Sequence, residues 1–300
     1  MTQSHVATLI AAPAGKLDAA ALARAKAVLP SGGEPSWLDP GIAADIPFTV
    51  DAADERAIAD RLRGFLTGAP VDVVVQPASR RRKRLFLADM DSTMIGQECI
   101  DELADYVNLK AHVATITERA MRGEIAFEPA LRERVALLKG LKADVVSEVI
   151  AERVRLTPGG RTLVATMRAN GALTCLVSGG FTSFTGPIAA QIGFDENRGN
   201  MLLVDGGGLF SGMVQEPILG AQAKLATLRE LSSRLGLAKE DTLAIGDGAN
   251  DLAMIAEAGL GVAFHAKPKV AAAALARIDH GDLTALLYAQ GYRREEFIEA

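Results

Sequence analysis

Residues 85–93 read Leu85-Phe86-Leu87-Ala88-Asp89-Met90-Asp91-Ser92-Thr93, a short apolar run that ends on two carboxylates. Such a run reads as a buried strand, and residues i and i+2 of an extended segment point the same way, so Asp89 and Asp91 face one site. Open α/β sheets bind their ligands beyond the carboxyl ends of such strands. Two further runs end similarly. Leu173–Val177 leads into Ser178-Gly179-Gly180, and Thr242–Ile245 leads into Gly246-Asp247-Gly248-Ala249-Asn250-Asp251. With Leu85–Met90 and Leu260–Phe264 they alternate with helical segments, which predicts a parallel α/β sheet. The mostly helical stretch 96–156 far exceeds the ~12 residues a crossover needs, so it predicts an inserted helical cap. Asn200–Val214, with Asp205-Gly206-Gly207-Gly208 between apolar runs, predicts a hairpin.

Upstream, the pattern differs. His5–Ala12, Pro35–Leu38, Ile46–Val50 and Val71–Val75 read as strands, and Leu17–Leu29 and Ala53–Leu66 as helices. The order β-α-β-β-α-β predicts a ferredoxin-like α+β unit over 1–80, followed by the α/β unit over 85–300. The basic run Arg80–Arg84 between them reads as a solvated linker.

The 300 residues suit two domains, and 49% hydrophobic with 23% charged residues is a globular balance that excludes disorder. A net charge of −5 argues against a nucleic-acid partner. Two cysteines, Cys99 and Cys175, make neither a disulfide framework nor a cysteine zinc site. No apolar run reaches the roughly 18 residues of a membrane span, and the N-terminus reads poorly as a signal peptide. The expectation is a cytoplasmic protein with no membrane partner.

Two carboxylates at one strand end need a metal, a shared proton or a division of labour, and a hard oxygen site suits Mg²⁺. After the Thr242 strand, Asn250 or Asp251 could equally cap the next helix. Ser178 with the Gly179 N–H could bind an anion or cap a helix. Lys224, taken alone, reads as a surface lysine. The four histidines are isolated and read as structural. In combination, Asp89, Asp91 and Asp247 can hold Mg²⁺ while Ser178, Gly179 and Lys224 surround a phosphate, a constellation suited to phosphoryl transfer. The absence of a G-x-x-x-x-G-K-[ST] segment argues against a P-loop NTPase.

These residues resemble the haloacid dehalogenase (HAD) superfamily of phosphatases. DMDSTMIGQECIDELA (Asp89–Ala104), ITERAMRGEIAFEPALRERVALLKGL (Ile116–Leu141), SGGFTSF (Ser178–Phe184), AIGDGANDLAMI (Ala244–Ile255) and GLGVAFHAKPKV (Gly259–Val270) narrow the resemblance to the phosphoserine phosphatase family. It covers nearly all of Leu85 to Leu287 and departs mildly at Ala253. The resemblance implies a HAD-like Rossmannoid sheet with a helical cap. It implies hydrolysis of O-phospho-L-serine to L-serine and phosphate through an aspartyl-phosphate, the last step of L-serine biosynthesis. Asp89 resembles the nucleophile and Asp91 the general acid and base. Mg²⁺ would be held by Asp89, the Asp91 carbonyl oxygen and Asp247, with Asp251 close behind. Ser178, Gly179, Lys224 and Asn250 resemble the phosphate-binding residues. Glu98 resembles the residue that binds the substrate amine, Arg134 the one that binds its carboxylate, and Phe127 the aromatic that shuts the pocket.

Read without the resemblance, Arg134 could be a salt-bridge partner and Phe127 core; with Leu131 they share one helix face. The N-terminal pattern resembles the ACT-like domain of some family members, which implies amino-acid binding or a homodimer contact. Inhibition by product L-serine is compatible with the same resemblance. Competing readings are a HAD phosphotransferase or a monoesterase acting on another small phosphorylated compound, a non-catalytic amino-acid sensor, and a nucleic-acid binder acting through Arg80–Arg84.

Overall fold

A computed structural model describes residues 3–51, 54–122 and 124–300. The first sheet contains β1 (Gln3–Ala11), β2 (Ser36–Asp39), β3 (Ala43–Val50) and β4 (Val71–Pro77). Its order is β2-β3-β1-β4 and every pairing is antiparallel. This is two interlocked split β-α-β units, the ferredoxin-like arrangement, and it is compatible with an ACT-like domain. Helices Ala19–Val28 and Glu55–Phe65 are capped by Asp18 and Asp54, whose carboxylates accept the N–H of Ala21 and Ala57. The helix expected to begin at Ala53 thus begins at Glu55, and Ala53 itself lies outside the described residues.

The second sheet contains β5 (Leu85–Ala88), β6 (Leu173–Phe181), β7 (Glu196–Asn200), β10 (Thr242–Gly246), β11 (Leu260–Phe264) and β12 (Ala276–Ile278), with β8 (Leu202–Val204) and β9 (Phe210–Val214) forming a separate hairpin. The order β12-β11-β10-β5-β6-β7 is parallel throughout. All residues of β5, β10 and β11 are buried, as expected of parallel strands covered on both faces. The chain steps from β5 to β6 and β7 in one direction, then returns to place β10 on the other side of β5. The crevice at that reversal is where an open α/β sheet binds its ligand. Strands β7 and β12 lie at the sheet edges and carry too few consecutive apolar residues to announce themselves in the sequence.

Helices Cys99–Asp105, Lys110–Met121, Phe127–Ala136 and Val145–Glu152 form the cap between β5 and β6. The β8–β9 hairpin leans on it: Gly140 N–H donates to Phe210 O at 2.9 Å, and Phe210 N–H donates to Leu141 O at 2.9 Å.

The basic run is the solvated linker expected of it only at Arg80, Arg82 and Arg84, which are exposed; Arg81 and Lys83 turn inward. Arg81 forks onto Asp45 of β3 at 2.6 and 3.0 Å and also reaches the carbonyls of Tyr288 and Ala289. Arg82 lies over the Tyr292 ring. Nearby, the Asp72 carboxylate of β4 accepts backbone N–H groups from Asp279, His280 and Gly281. Ile10, Leu38, Ala43 and Val74 of the first sheet share an apolar core with Leu286 and Tyr288 of the second unit. The sequence shows the charges of this run but not the carboxylates and carbonyls that a neighbouring sheet brings to them.

Lys83 is buried, its ammonium donating to Arg80 O at 2.9 Å and Glu240 O at 2.8 Å. Burial pulls its pKa from the ordinary 10.5 down to about 8. Between these values the unfolded chain holds the proton more tightly, so Lys83 makes native stability rise with pH across that window. Denaturant unfolding at pH 8 and pH 10.5 should show the stability difference between the native chain and Lys83→Met shifting toward the native chain at the higher pH. A pH-independent difference would contradict this.

Candidate active site

Strand pairing runs up to the first carboxylate: the Asp89 N–H donates to Ile245 O of β10 at 3.1 Å. The chain then turns through Ser92, whose φ of +55° is left-handed and costs a non-glycine residue about 1–2 kcal/mol. The Ser92 hydroxyl donates to Glu98 at 2.7 Å, which holds the turn closed. The Cys99 N–H donates to Asp91 Oδ1 at 3.1 Å, and the other oxygen of Asp91 lies 3.5 Å from Ser178 Oγ. Asp89, Asp91 and Glu98 thereby line one cavity wall.

Lys224 sits in the first turn of helix Ala221–Leu235 and is fully buried, not the surface lysine that its isolated reading suggested. Its ammonium lies 2.7 Å from Asp89 Oδ1 and 2.7 Å from Asp251 Oδ1. Burial alone would lower its pKa, but the two carboxylates outweigh burial and raise it, so the group stays charged. Asp247 follows β10 and accepts the Thr93 hydroxyl at 3.0 Å. Burial, then the charge of Asp251, pushes its pKa up to about 7. The same two causes push Asp89 well above the carboxylate range, against the pull of Lys224. Burial raises Asp91, opposed by its bonds from Cys99.

Oxygens of Asp89, Asp247 and Asp251 lie within 4.8 Å of one another. Three carboxylates face one ammonium there, an excess of buried negative charge that a hard divalent cation would neutralise with the oxygen ligands it prefers. The residues present therefore fit such an ion.

Ser178 Oγ accepts the Gly180 N–H at 2.8 Å, and the following helix starts only at Thr182. The hydroxyl bonds within the irregular end of β6 rather than capping that helix. Asp251 likewise does not cap helix Leu252–Glu257 with its side chain; its second oxygen accepts the Gly248 N–H at 3.1 Å. Asn250 lines the cavity.

On the cap side, Phe127, Leu131 and Arg134 of one helix all face the cavity. The Phe127 ring rests on the glycines of the opposite wall: a Cβ at Gly179 would come within 2.8 Å of it, and one at Gly220 within 3.3 Å. Arg134 is buried, with Nε donating to Ala130 O and Nη1 donating to the Thr117 hydroxyl at 2.9 Å. Among the described residues no carboxylate lies within salt-bridge distance of it, so its charge faces the cavity. Burial and the charge of Asp91 push the Glu98 pKa up to about 8.

The cavity holds about 480 Å³ and gathers Asp89, Asp91, Glu98, Phe127, Arg134, Ser178, Gly179 and Asn250. Asp247, Asp251 and Lys224 lie behind Asp89 and are not on the wall. Sequence reasoning did not single out Thr93, which orients Asp247, or Thr117, which orients Arg134. Both stood inside the quoted motifs, but nothing in their spacing marked them.

A family model for haloacid dehalogenase-like hydrolases matches residues 86–256. The chain is 45% identical over 224 residues to a phosphoserine phosphatase of Polaromonas sp., spanning 73% of this chain and 95% of that one. Among solved structures, a probable phosphoserine phosphatase from Vibrio cholerae is 30% identical with a TM-score of 0.74, covering 98% of this chain and 88% of that one. A phosphoserine phosphatase solved as a phospho-aspartyl intermediate analogue is 37% identical with a TM-score of 0.65, covering 69% of this chain and 98% of that one. With the fold and the clustered strand-end carboxylates, these matches place the chain in the haloacid dehalogenase-like hydrolase family, within its phosphoserine phosphatase group.

Proposed function

We propose that this chain is a cytoplasmic, Mg²⁺-dependent phosphatase that hydrolyses O-phospho-L-serine to L-serine and phosphate, the last step of L-serine biosynthesis. The observation that carries this reading is a single cavity lined by two chemically different sets of residues. Asp89, Asp91, Ser178 and Gly179, at the strand ends, make up one set, and Glu98 with the buried Arg134 of the cap the other.

Lys224 and the Met90 N–H both engage Asp89 Oδ1, which leaves Oδ2 to attack phosphorus. As that bond forms, the ester bond breaks and Asp91 gives its proton to the departing serine oxygen. Burial favours the protonated form of Asp91 that this step requires. In the second step Asp91 takes a proton from water, the water oxygen bonds to phosphorus, and the bond to Asp89 breaks. Splitting hydrolysis in this way replaces one difficult displacement with two easier ones. Ser178, the Gly179 N–H and Asn250 on the wall hold the phosphoryl oxygens, and Lys224, behind Asp89, sets its positive charge beside them. Magnesium bound by Asp89, Asp247 and the Asp91 carbonyl oxygen, with Asp251 behind them, would supply charge neutralisation at the transferring group. Glu98 takes the substrate ammonium, Arg134 its carboxylate, and Phe127 excludes water. L-serine keeps both amino-acid charges and so competes for Glu98 and Arg134.

Asp89→Asn should lower kcat by about 10⁴-fold or more. Retained phosphate release from phosphoserine would defeat the nucleophile assignment. Arg134→Ala should raise KM for phosphoserine by roughly 10- to 100-fold, the worth of a charged hydrogen bond, and leave a plain alkyl phosphate within about twofold. Equal losses on both substrates would remove Arg134 from substrate recognition. Mg²⁺ at about 100 times its Kd stabilises by about 2.7 kcal/mol and should raise Tm by about 4 °C. In Asp247→Asn that rise should vanish, while the metal-free variant melts no lower than the native chain because a buried repulsive charge is gone. An undiminished Mg²⁺ shift in the variant would exclude Asp247 as a ligand.

A further inference from the structure

Asn200 ends β7, just before the hairpin that leans on the cap, and it is buried. Its amide nitrogen donates to Gly179 O at 2.8 Å and to Leu219 O at 3.0 Å, and its amide oxygen accepts the Leu219 N–H at 2.7 Å. One side chain thus joins two segments that are distant in sequence. The peptide between Gly179 and Gly180 is held at both ends, its carbonyl by Asn200 and its N–H by Ser178 Oγ. On the other side, Leu219 precedes Gly220, the residue that caps the helix carrying Lys224. The Phe127 ring rests on Gly179 and Gly220, beside the two anchored points.

We infer that Asn200 is a positioning residue for phosphoryl-group binding, fixing the Ser178–Gly179 end of β6 at a set distance from the helix of Lys224. The inference rests on the phosphatase reading above and deepens it. Only a side chain with two N–H donors and an acceptor on one planar group satisfies all three partners. Asn200→Asp keeps the acceptor but turns its second oxygen onto two carbonyls. Asn200→Ser is the milder change, removing the link without adding charge.

The test compares both variants with the native chain in Mg²⁺, after circular dichroism and melting establish that each is folded at the assay temperature. Calorimetry measures the affinity for inorganic phosphate and for L-serine, and hydrolysis of phosphoserine gives kcat and KM. In folded variants, phosphate affinity and kcat should fall by about 10- to 100-fold, the scale of a small misplacement of binding groups. L-serine affinity should stay within about twofold, because Glu98 and Arg134 do not touch Asn200. General loosening would instead weaken phosphate and L-serine alike, and that result overturns the inference. So does unchanged phosphate affinity in either folded variant, or a native chain that binds phosphate no better than the variants. A native chain that binds phosphate through Asn200 yet leaves phosphoserine intact defeats the phosphatase reading alone.

Discussion

Lys224 is enclosed between Asp89 and Asp251, 2.7 Å from each, with all three side chains withdrawn from solvent. Removing ions from water costs several kcal/mol each, and only close pairing offsets it. The end of β5, the loop after β10 and the helix after Gly220 must therefore converge on one point. Adjacency of β5 and β10, far apart in the chain, provides that convergence. With Asp247 added, the cluster still carries excess negative charge, and a phosphate dianion approaching it is repelled until a cation restores balance. Metal dependence in such a site is a condition for substrate entry as well as for bond breaking.

Much of this was written in the sequence because strand ends announce themselves. Asp89, Asp91, Ser178 and Asp247 each follow an apolar run, and the period of an extended chain says which way they face. Glu98, Phe127 and Arg134 carry no such signal; their roles came from resemblance, and the cavity brings them together. Lys224 was illegible alone, since one lysine on a helix says nothing about which side is buried. Asn200 lies in β7, whose sequence Glu-Asn-Arg-Gly-Asn has no apolar run, and its partners are set by tertiary contacts. Lys83 failed for the opposite reason: a dense charge run suggests solvent, although its ammonium is met by two carbonyls.

Two contacts of the cap bear on the site. Phe127 rests on glycines of the opposite wall, and residues 140–141 pair with the hairpin that hangs from β7. Both contacts trace back to Asn200 and its neighbours. At 179 glycine leaves room for the ring rather than serving a backbone angle, since a Cβ there would come within 2.8 Å of it and push it aside. The cap contact and the Ser178–Gly179 segment thus share the same few atoms.

The clamp between the two sheets sets the scale at which this molecule is a unit. Asp72 gathers three consecutive backbone N–H groups from the far side of the boundary, and Ile10, Leu38 and Val74 complete a core whose other half is Leu286 and Tyr288. Cutting the chain within the basic run would not release two finished bodies. It would leave each fragment with a raw apolar face and its share of severed polar contacts, so the N-terminal sheet is a wall of the enzyme rather than an attachment to it.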